Sequence, residues 1–266
     1  MPDNSRPRRA CLTAVRVAAL PGIAMLILLA HPCLAGAADI TVLCSNGFRA
    51  VMQDLVPQFE RATAHSVTVR YGLSAAIARQ IEAGEAFDLA VLTPALIDDL
   101  IAKGTLARGT RVTLARSAIA LAIREGSPKP DVRTTDALRR TLLASTSIAY
   151  AREGASAAFF LALVQRLGLT PLLQSRIQAV ASGEEVGASV SRGNAELGVL
   201  PVSEILPIRG VEVAGTFPGE PQGYVTMVVG VSSRAAQRGA ASELITFLTA
   251  PAALPVIAAR GMERGR

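Results

Sequence analysis

Residues 40–93 contain two consecutive strand–turn–helix units, and this repeat constrains the fold more than any other feature of the chain. The first unit begins with the apolar run at 40–44, which fits a buried strand of a parallel sheet. A polar turn follows. Apolar residues then recur at helical spacing over 48–59. Two such units in succession predict an α/β fold with parallel strands.

The second unit repeats the pattern and adds a clear helix end. We predict a strand at 66–71, a turn that includes Ser74, and a helix at 75–83. Gly84 follows this helix, and glycine readily adopts the positive φ that is common just after a helix end. The carboxyl ends of parallel strands meet at one edge of a sheet, which is where α/β proteins bind ligands.

Small polar residues fill both turns and make them candidates for a binding site. Ser45, Asn46 and Gly47 follow the first strand, and Ser74 follows the second. Free N–H groups and helix N-termini at such turns favour anions. Two alternatives stay open: the turn residues could be ordinary helix caps, and Arg49 could pair with an anion or extend into solvent.

The rest of the chain continues to alternate strands and helices, so we predict a mixed sheet with helices on both faces. Strands are predicted at 88–92, 118–123, 147–150, 196–200, 211–217 and 224–231, and helices at 136–143, 156–167, 184–191, 233–249 and 252–259.

The N-terminus has the pattern of a secretory signal peptide, which we assign to residues 1–37. Four arginines precede an apolar run at 17–30, and Ala35, Gly36 and Ala37 form a small-residue cleavage site. We predict cleavage after Ala37 and a soluble periplasmic protein. A lipid anchor on Cys33 is disfavoured by the His-Pro pair before it.

Charge and cysteine content argue against a nucleic-acid-binding protein and against a fold held together by disulfides. The chain has 27 basic and 21 acidic residues, and loss of the leader leaves 23 and 20. That mild excess, without a dense basic run, argues against nucleic acid as a partner. Cys44 is the only cysteine outside the leader, so no internal disulfide is possible. We expect its thiol to be packed and inert.

An enzyme is the rival class, and the residue inventory argues against it. His65 is the only histidine outside the leader. A histidine-based triad, a histidine-rich metal site and a glycine-rich nucleotide loop are therefore not expected. No acidic pair falls at a predicted strand end, although a carboxylate-only enzyme stays open. The effector domain of a transcription regulator is disfavoured by the leader.

Several motifs resemble those of the periplasmic molybdate-binding proteins, which are type II solute-binding components of ABC uptake systems. The matching segments are ITV at 40–42, QD at 53–54, ARQIEAG at 78–84 with DL at 88–89, QRLG at 165–168 and LG at 197–198. The resemblance covers essentially all of the chain after the leader. It implies a two-lobed type II periplasmic binding fold with a ligand cleft between the lobes.

The resemblance also implies the lobe boundaries and the ligand residues. One lobe would comprise 38–117 plus 225–266 and the other 118–224. The family's serines fall on Ser74 and Ser156, and Val186 matches the valine that donates a backbone N–H. The family's other serine aligns with Gly47. Its tyrosine aligns with Pro201, which has neither a hydroxyl nor an N–H group.

These observations predict a monomeric periplasmic protein that delivers a small oxyanion, molybdate-like or tungstate-like, to a membrane ABC permease. No cofactor or metal is expected. Acidic residues such as Glu184 and Glu185 are common in a first helical turn and need no metal. The alternatives are a binding protein for another small inorganic or organic anion, and an enzyme on the same fold.

Overall fold

The computed structural model describes residues 36–218 and 223–265. Within these residues ten strands and ten α-helices form a mixed sheet flanked by helices. The α/β class predicted from the sequence is therefore confirmed. The predicted signal peptide lies outside the described residues, apart from Gly36 and Ala37.

The strands are β1 (Asp39–Ser45), β2 (Ser66–Gly72), β3 (Leu89–Leu92), β4 (Val112–Arg124), β5 (Ile148–Ala151), β6 (Ile177–Val180), β7 (Leu197–Pro201), β8 (Val211–Thr216), β9 (Tyr224–Val231) and β10 (Glu263–Arg264). The helices are α1 (Arg49–Thr63), α2 (Ser74–Glu82), α3 (Pro94–Ala102), α4 (Thr135–Ala144), α5 (Ala157–Arg166), α6 (Thr170–Leu173), α7 (Gly183–Arg192), α8 (Val202–Ile205), α9 (Arg238–Thr249) and α10 (Leu254–Ala259). Short 3-10 helices span Asn46–Phe48 and Pro251–Ala253.

The sheet has two halves that share the long strand β4. The strand order is β2-β1-β3-β9-β4-β7-β5-β6, with β8 and β10 also paired to β4. Strands β1, β2 and β3 are parallel in one half, and β5, β6 and β7 are parallel in the other. The first part of β4 pairs with β9, and the second part pairs with β7 and β8. The lobe boundaries given above stay a prediction.

Alternating side chains of β1 explain why helices cover both faces of the first half. Val42 and Cys44 pack in a cluster with residues of α1 and α9, whereas Leu43 packs with residues of α2 and α3. Successive side chains of a strand point to opposite faces, so a fully apolar strand needs cover on both sides.

Some parts of the sequence-based prediction were wrong, including the start of β4, which lies at Val112 and not at the predicted residue 118. The predicted helix at 233–249 begins only at Arg238, because Gln237 donates its N–H to Asp88 Oδ1 (3.0 Å) and Ser233 donates its N–H to Thr105 O. Strand β6 was missed. It is a four-residue edge strand that is only partly buried, so it has no clear apolar pattern.

Within the described residues, no single helix is long and apolar enough to cross a membrane. Helix α9 and the segment Pro251–Ala259 reach that length and hydropathy only together, and they are bent by 58° at the break.

Candidate functional site

The turns that follow β1 and β2 lie side by side at the carboxyl edge of the sheet. The two strands are parallel, and Ser45 pairs with Gly72 at the end of the ladder. This register brings the hydroxyl groups of Ser45 and Ser74 within 2.8 Å of each other, and both residues are buried. One hydrogen bond uses one of the two hydroxyl hydrogens. The other hydrogen is free to bond to a ligand.

Arg49, at the start of α1, places a cation beside these turns. Its Nη1 lies 2.5 Å from Glu184 Oε1, and its Nη2 donates to Asn46 Oδ1 at 2.8 Å. The guanidinium carbon lies 4.9 Å from the centre of the Tyr71 ring. Among the described residues, the buried Nε of Arg49 has no hydrogen-bond partner. Arg49 therefore keeps one donor for an additional acceptor.

Glu204 brings a carboxyl group to the same place from the other half of the sheet. It lies in α8, directly after β7. A Cβ atom on Gly47 would lie 3.5 Å from its Oε1, and a Cβ on Gly183 would clash with its Oε2. Burial raises the pKa of Glu204 to about 7. Nearby Glu184 also raises this pKa, whereas Arg49 lowers it.

Gly47 lies close to the side chain of Met227. A Cβ atom at this position would lie only 2.8 Å from Met227 Cε, which is buried. The serine that the family resemblance suggests here would therefore crowd Met227, and its Cβ would touch Glu204 at an ordinary contact distance. The first turn supplies backbone groups and the hydroxyl of Ser45 instead.

Ser203 connects the two halves at this edge. Its hydroxyl donates to Gly47 O (3.0 Å), and its N–H donates to Ser117 Oγ (3.0 Å) in the middle of β4. Ser117 in turn donates to Gly261 O at 2.9 Å. These bonds fix the turn after β7 against the turn after β1, and so fix Glu204 beside Gly47.

The residues around Arg49 and Glu204 enclose a pocket of about 260 Å³. Its lining combines the turn after β1 with α8 and the N-terminus of α7. The lining residues are Asn46, Arg49, Ala50, Gln53, Gly183, Glu184, Ser203, Glu204, Pro207 and Ile208. The pocket is slightly smaller than the 300–1,000 Å³ of drug-sized sites, so it suits a compact ligand.

The structure separates the sequence-predicted residues into two groups. Ser45, Asn46, Gly47 and Ser74 lie together at the edge of the sheet, and Asn46 lines the pocket. Ser156 is buried at the start of α5, and its hydroxyl makes no hydrogen bond to any described residue. It is not a lining residue of the pocket.

Val186 lies in the core. Its side chain packs against Gly198, and its N–H donates to Ser182 O at 3.1 Å within the helix. The N–H groups of Gly183 and Glu184, one turn earlier, have no backbone partner in the described part of the chain and point out of the helix start.

Two residues that shape the site were missed from the sequence. Glu204 and Ser203 follow a predicted strand, and a polar pair at that point could have been recognised. Together with Glu184, Glu204 forms the acidic pair at strand ends that the sequence analysis did not find. Glu184 follows β6, which was itself missed.

Cys44 does not line this pocket. It is fully buried at the end of β1, and its thiol donates to Ser45 O at 3.4 Å. Burial raises the pKa of the Cys44 thiol well above its ordinary value, although the nearby Arg49 lowers it. A neutral thiol is a poor nucleophile.

Two larger grooves share no lining residue with the Arg49 pocket. One, of about 590 Å³, includes Asp39 and Asp88 at the amino ends of β1 and β3. The other, of about 690 Å³, runs between residues 129–133 and β8. Among the described residues, no group of three or more His, Cys, Asp or Glu side chains could hold a metal ion. The Arg49 pocket lies beside the carboxyl ends of β1 and β7, at an edge where α/β sheets bind ligands.

Comparison with known proteins places this architecture in a family. Residues 40–263 match the family model described as bacterial extracellular solute-binding protein. An aconitate isomerase of a Pseudomonas species is 29% identical over 253 residues, covering 92% of this chain and 96% of the relative. The molybdate-binding protein ModA of Azotobacter vinelandii is 28% identical over 236 residues, covering 86% and 91%.

Solved structures give the same answer for the fold. The periplasmic molybdate-binding protein of Azotobacter vinelandii superposes with a TM-score of 0.72 at 20% identity, over 85% of this chain and 100% of that one. The predicted type II periplasmic binding fold and the resemblance to molybdate-binding proteins are thus confirmed. The chain belongs to the bacterial extracellular solute-binding protein family.

Proposed function

We propose that this chain binds a small anion in the Arg49 pocket and delivers it to a membrane ABC permease. The observation that carries the proposal is Arg49 itself, whose buried Nε has no partner among the described residues. The free N–H groups at the start of α7 and the spare hydroxyl hydrogen of the Ser45–Ser74 pair add donors nearby. Such a set of donors binds oxyanions.

Molybdate or tungstate is the ligand that the family resemblance suggests, and the molybdate-binding relatives support it. An organic carboxylate fits this pocket better. Gly47 and Pro201 provide no hydroxyl groups where the family has a serine and a tyrosine. A compact doubly charged oxyanion would also meet the carboxyl group of Glu204, whereas an organic acid can place its charge on Arg49 and its carbon chain against Glu204.

The aconitate isomerase relative agrees with this choice, because aconitate is a small tricarboxylate. We therefore place an organic polycarboxylate first among the ligands and a tetrahedral oxyanion second. We also propose a permease partner and a monomeric state. Nucleic acid is not part of the proposal.

Export to the periplasm is part of the same proposal. Cleavage after Ala37 would leave Ala38 as the first residue, at the start of the described fold, where its backbone nitrogen donates to His65 Nδ1 at 3.1 Å. N-terminal sequencing of the exported protein tests this step. A mature chain that begins with a lipidated Cys33 would contradict it.

Thermal shift followed by calorimetric titration tests the binding role. The panel is molybdate, tungstate, sulfate, phosphate, citrate and aconitate. A ligand at 100 times its Kd stabilises the native state by about 2.7 kcal/mol, which is readily detected. We expect the polycarboxylates to bind more tightly than the tetrahedral anions.

Arg49→Gln supplies the matched test of the site. Loss of a hydrogen bond to a charged group costs about 1.5–3 kcal/mol, so affinity should fall by roughly 10- to 150-fold. Arg111→Gln is the control, because Arg111 pairs with Asp98 (2.6 Å) on the surface outside the pocket. Equal affinity in the wild type and Arg49→Gln would place the ligand elsewhere.

A further inference from the structure

Glu204 has a position that anion binding alone does not explain. Its carboxyl group borders the pocket between Gly47 and Gly183, close to both backbones. It makes no hydrogen bond or ion pair with any residue in the described part of the chain. A binding site for an anion gains nothing from an unpaired carboxyl group on its wall, since its ionised form repels the ligand.

Arg49 lines the same pocket. Its charge acts on Glu204, yet its guanidinium bonds to Asn46 and Glu184 rather than to Glu204. The pocket thus presents a fixed cation and a separate, unpaired carboxyl group to one bound molecule. A group that accepts a proton and a group that stabilises the resulting negative charge are the two requirements for removing a proton next to a carboxylate.

From this juxtaposition we propose that the pocket catalyses a 1,3-proton shift in an unsaturated polycarboxylate of the aconitate type, with Glu204 as the proton carrier. The inference rests on the proposed binding of a polycarboxylate in this pocket. It goes beyond that role by assigning an isomerase activity and a catalytic residue. The substrate class is a carboxylate with a methylene group next to a carbon–carbon double bond.

The step balances without a second reactant. The ionised carboxylate of Glu204 takes a proton from the methylene carbon, which breaks the C–H bond and forms an O–H bond on Glu204. The electron pair spreads over the three-carbon unit into the attached carboxylate, whose charge Arg49 stabilises. Glu204 then returns the proton to the former vinylic carbon, and the double bond has moved by one position.

The outcome for aconitate is an exchange between its cis and trans forms, because the new double bond takes its geometry from the conformation held in the pocket. The pKa of about 7 at Glu204 supports this role, since a base works best when its pKa is close to the working pH.

Proton NMR of the purified chain with cis-aconitate and trans-aconitate in D₂O tests the proposal. The wild type should interconvert the two isomers. Deuterium should appear at the methylene carbon in those turnovers in which the proton on Glu204 exchanges with D₂O before it is returned. Glu204→Gln keeps the size of the side chain but removes the base, so it should still bind aconitate by calorimetry and lose at least 100-fold in the rate of isomer interconversion. When Glu204→Gln is expressed and purified in the same way as the wild type, its loss of activity also shows that the activity does not come from a contaminating enzyme.

Glu212→Gln is the matched control, because Glu212 pairs with Lys129 (3.0 Å) away from the pocket and should keep the full rate. If Glu204→Gln does not fold, Glu204→Asp provides the second test and should retain a reduced rate. A wild type that binds aconitate without interconverting its isomers, or a Glu204→Gln variant at full rate, overturns the isomerase and leaves the binding role intact. A wild type that binds no anion of the panel overturns both.

Discussion

The hydroxyl groups of Ser45 and Ser74 are 2.8 Å apart, which joins the turn after β1 to the start of α2. Both residues are buried, so the pair cannot exchange its hydrogen bond freely for water. The geometry leaves one hydroxyl hydrogen without an acceptor among the described residues. A ligand oxygen at this edge of the sheet would accept that hydrogen.

Ser74→Ala should affect both binding and stability. Removal of the hydroxyl breaks a buried hydrogen bond, so the free energy of unfolding of the apo protein should fall by about 1 kcal/mol. Because Ser74 donates to Ser45, the spare hydrogen of the pair is on Ser45, and Ser74→Ala removes the bond that positions this donor. Anion binding should therefore weaken. Urea melts and calorimetric titration measure the two effects. Unchanged affinity would mean that the pair only stabilises the turns.

Ser156→Ala distinguishes a ligand donor from a helix cap. The Ser156 hydroxyl bonds to no described residue and does not line the Arg49 pocket, so Ser156→Ala should keep both the apo stability and the anion affinity of that pocket. A fall in affinity of about 10-fold or more would extend the site to the start of α5. Ser182→Ala is the matched control. Ser182 Oγ accepts the Glu185 N–H at 3.2 Å, so this change should cost about 1 kcal/mol of apo stability. If Ser156→Ala behaves like Ser182→Ala, Ser156 is a structural residue.

Gly47→Ser should destabilise the protein even though it restores the residue of the family pattern. The new Cβ would lie 2.8 Å from Met227 Cε in the core, and overpacking of this kind costs about 1–3 kcal/mol. The cost should be smaller in a Met227→Ala background, where the space is free. Thermal melts of the two single variants and the double variant measure this coupling. Additive effects would show that Met227 is not the constraint.

Glu204 should make the free energy of unfolding fall as the pH rises, which is opposite to the effect of a carboxyl group whose pKa is lowered by folding. Its pKa is about 7 in the folded protein against an ordinary value of 4.5, so the folded state binds more protons between these values. The free energy of unfolding should therefore fall as the pH rises from about 5 to 8, by up to about 3 kcal/mol from this group. Arg49 limits the effect, and Glu184 increases it.

Urea melts of the wild type and Glu204→Gln at several pH values isolate this contribution, because the other groups titrate alike in both proteins. The difference between the two free energies of unfolding should change with pH. A constant difference would place the Glu204 carboxyl in contact with bulk water.

Cys44 should be unreactive in the native protein. Burial and the raised pKa of its thiol leave almost no thiolate at pH 8. In the chain that begins at Ala38, where Cys44 is the only cysteine, a disulfide reagent such as DTNB should react only after unfolding in urea. Cys44→Ser should retain anion binding and cost about 1 kcal/mol or more in stability. Rapid reaction of the native thiol would contradict a structural role.

Much of the fold could be predicted from local patterns. Strands β1, β2 and β9 lie within one residue of their predicted limits, because apolar runs and turn residues act over neighbouring positions. Gly84 has φ = 95°, as its place after α2 predicts. Strand β6 and the first part of β4 were not found, since partly buried strands have a weaker hydrophobic pattern.

The sequence by itself determined the α/β class, the polar turns of Ser45 and Ser74, and the family resemblance, all of which depend on residues close together in the chain. Only the tertiary structure decided which side chains meet. Arg49 and Glu184 are 135 positions apart, and Ser203 bonds to Gly47 across 156 positions. No local periodicity encodes such contacts, because they depend on how the shared strand β4 brings the carboxyl ends of the two half-sheets together. The unpaired carboxyl group of Glu204 beside a cation exists only through that packing.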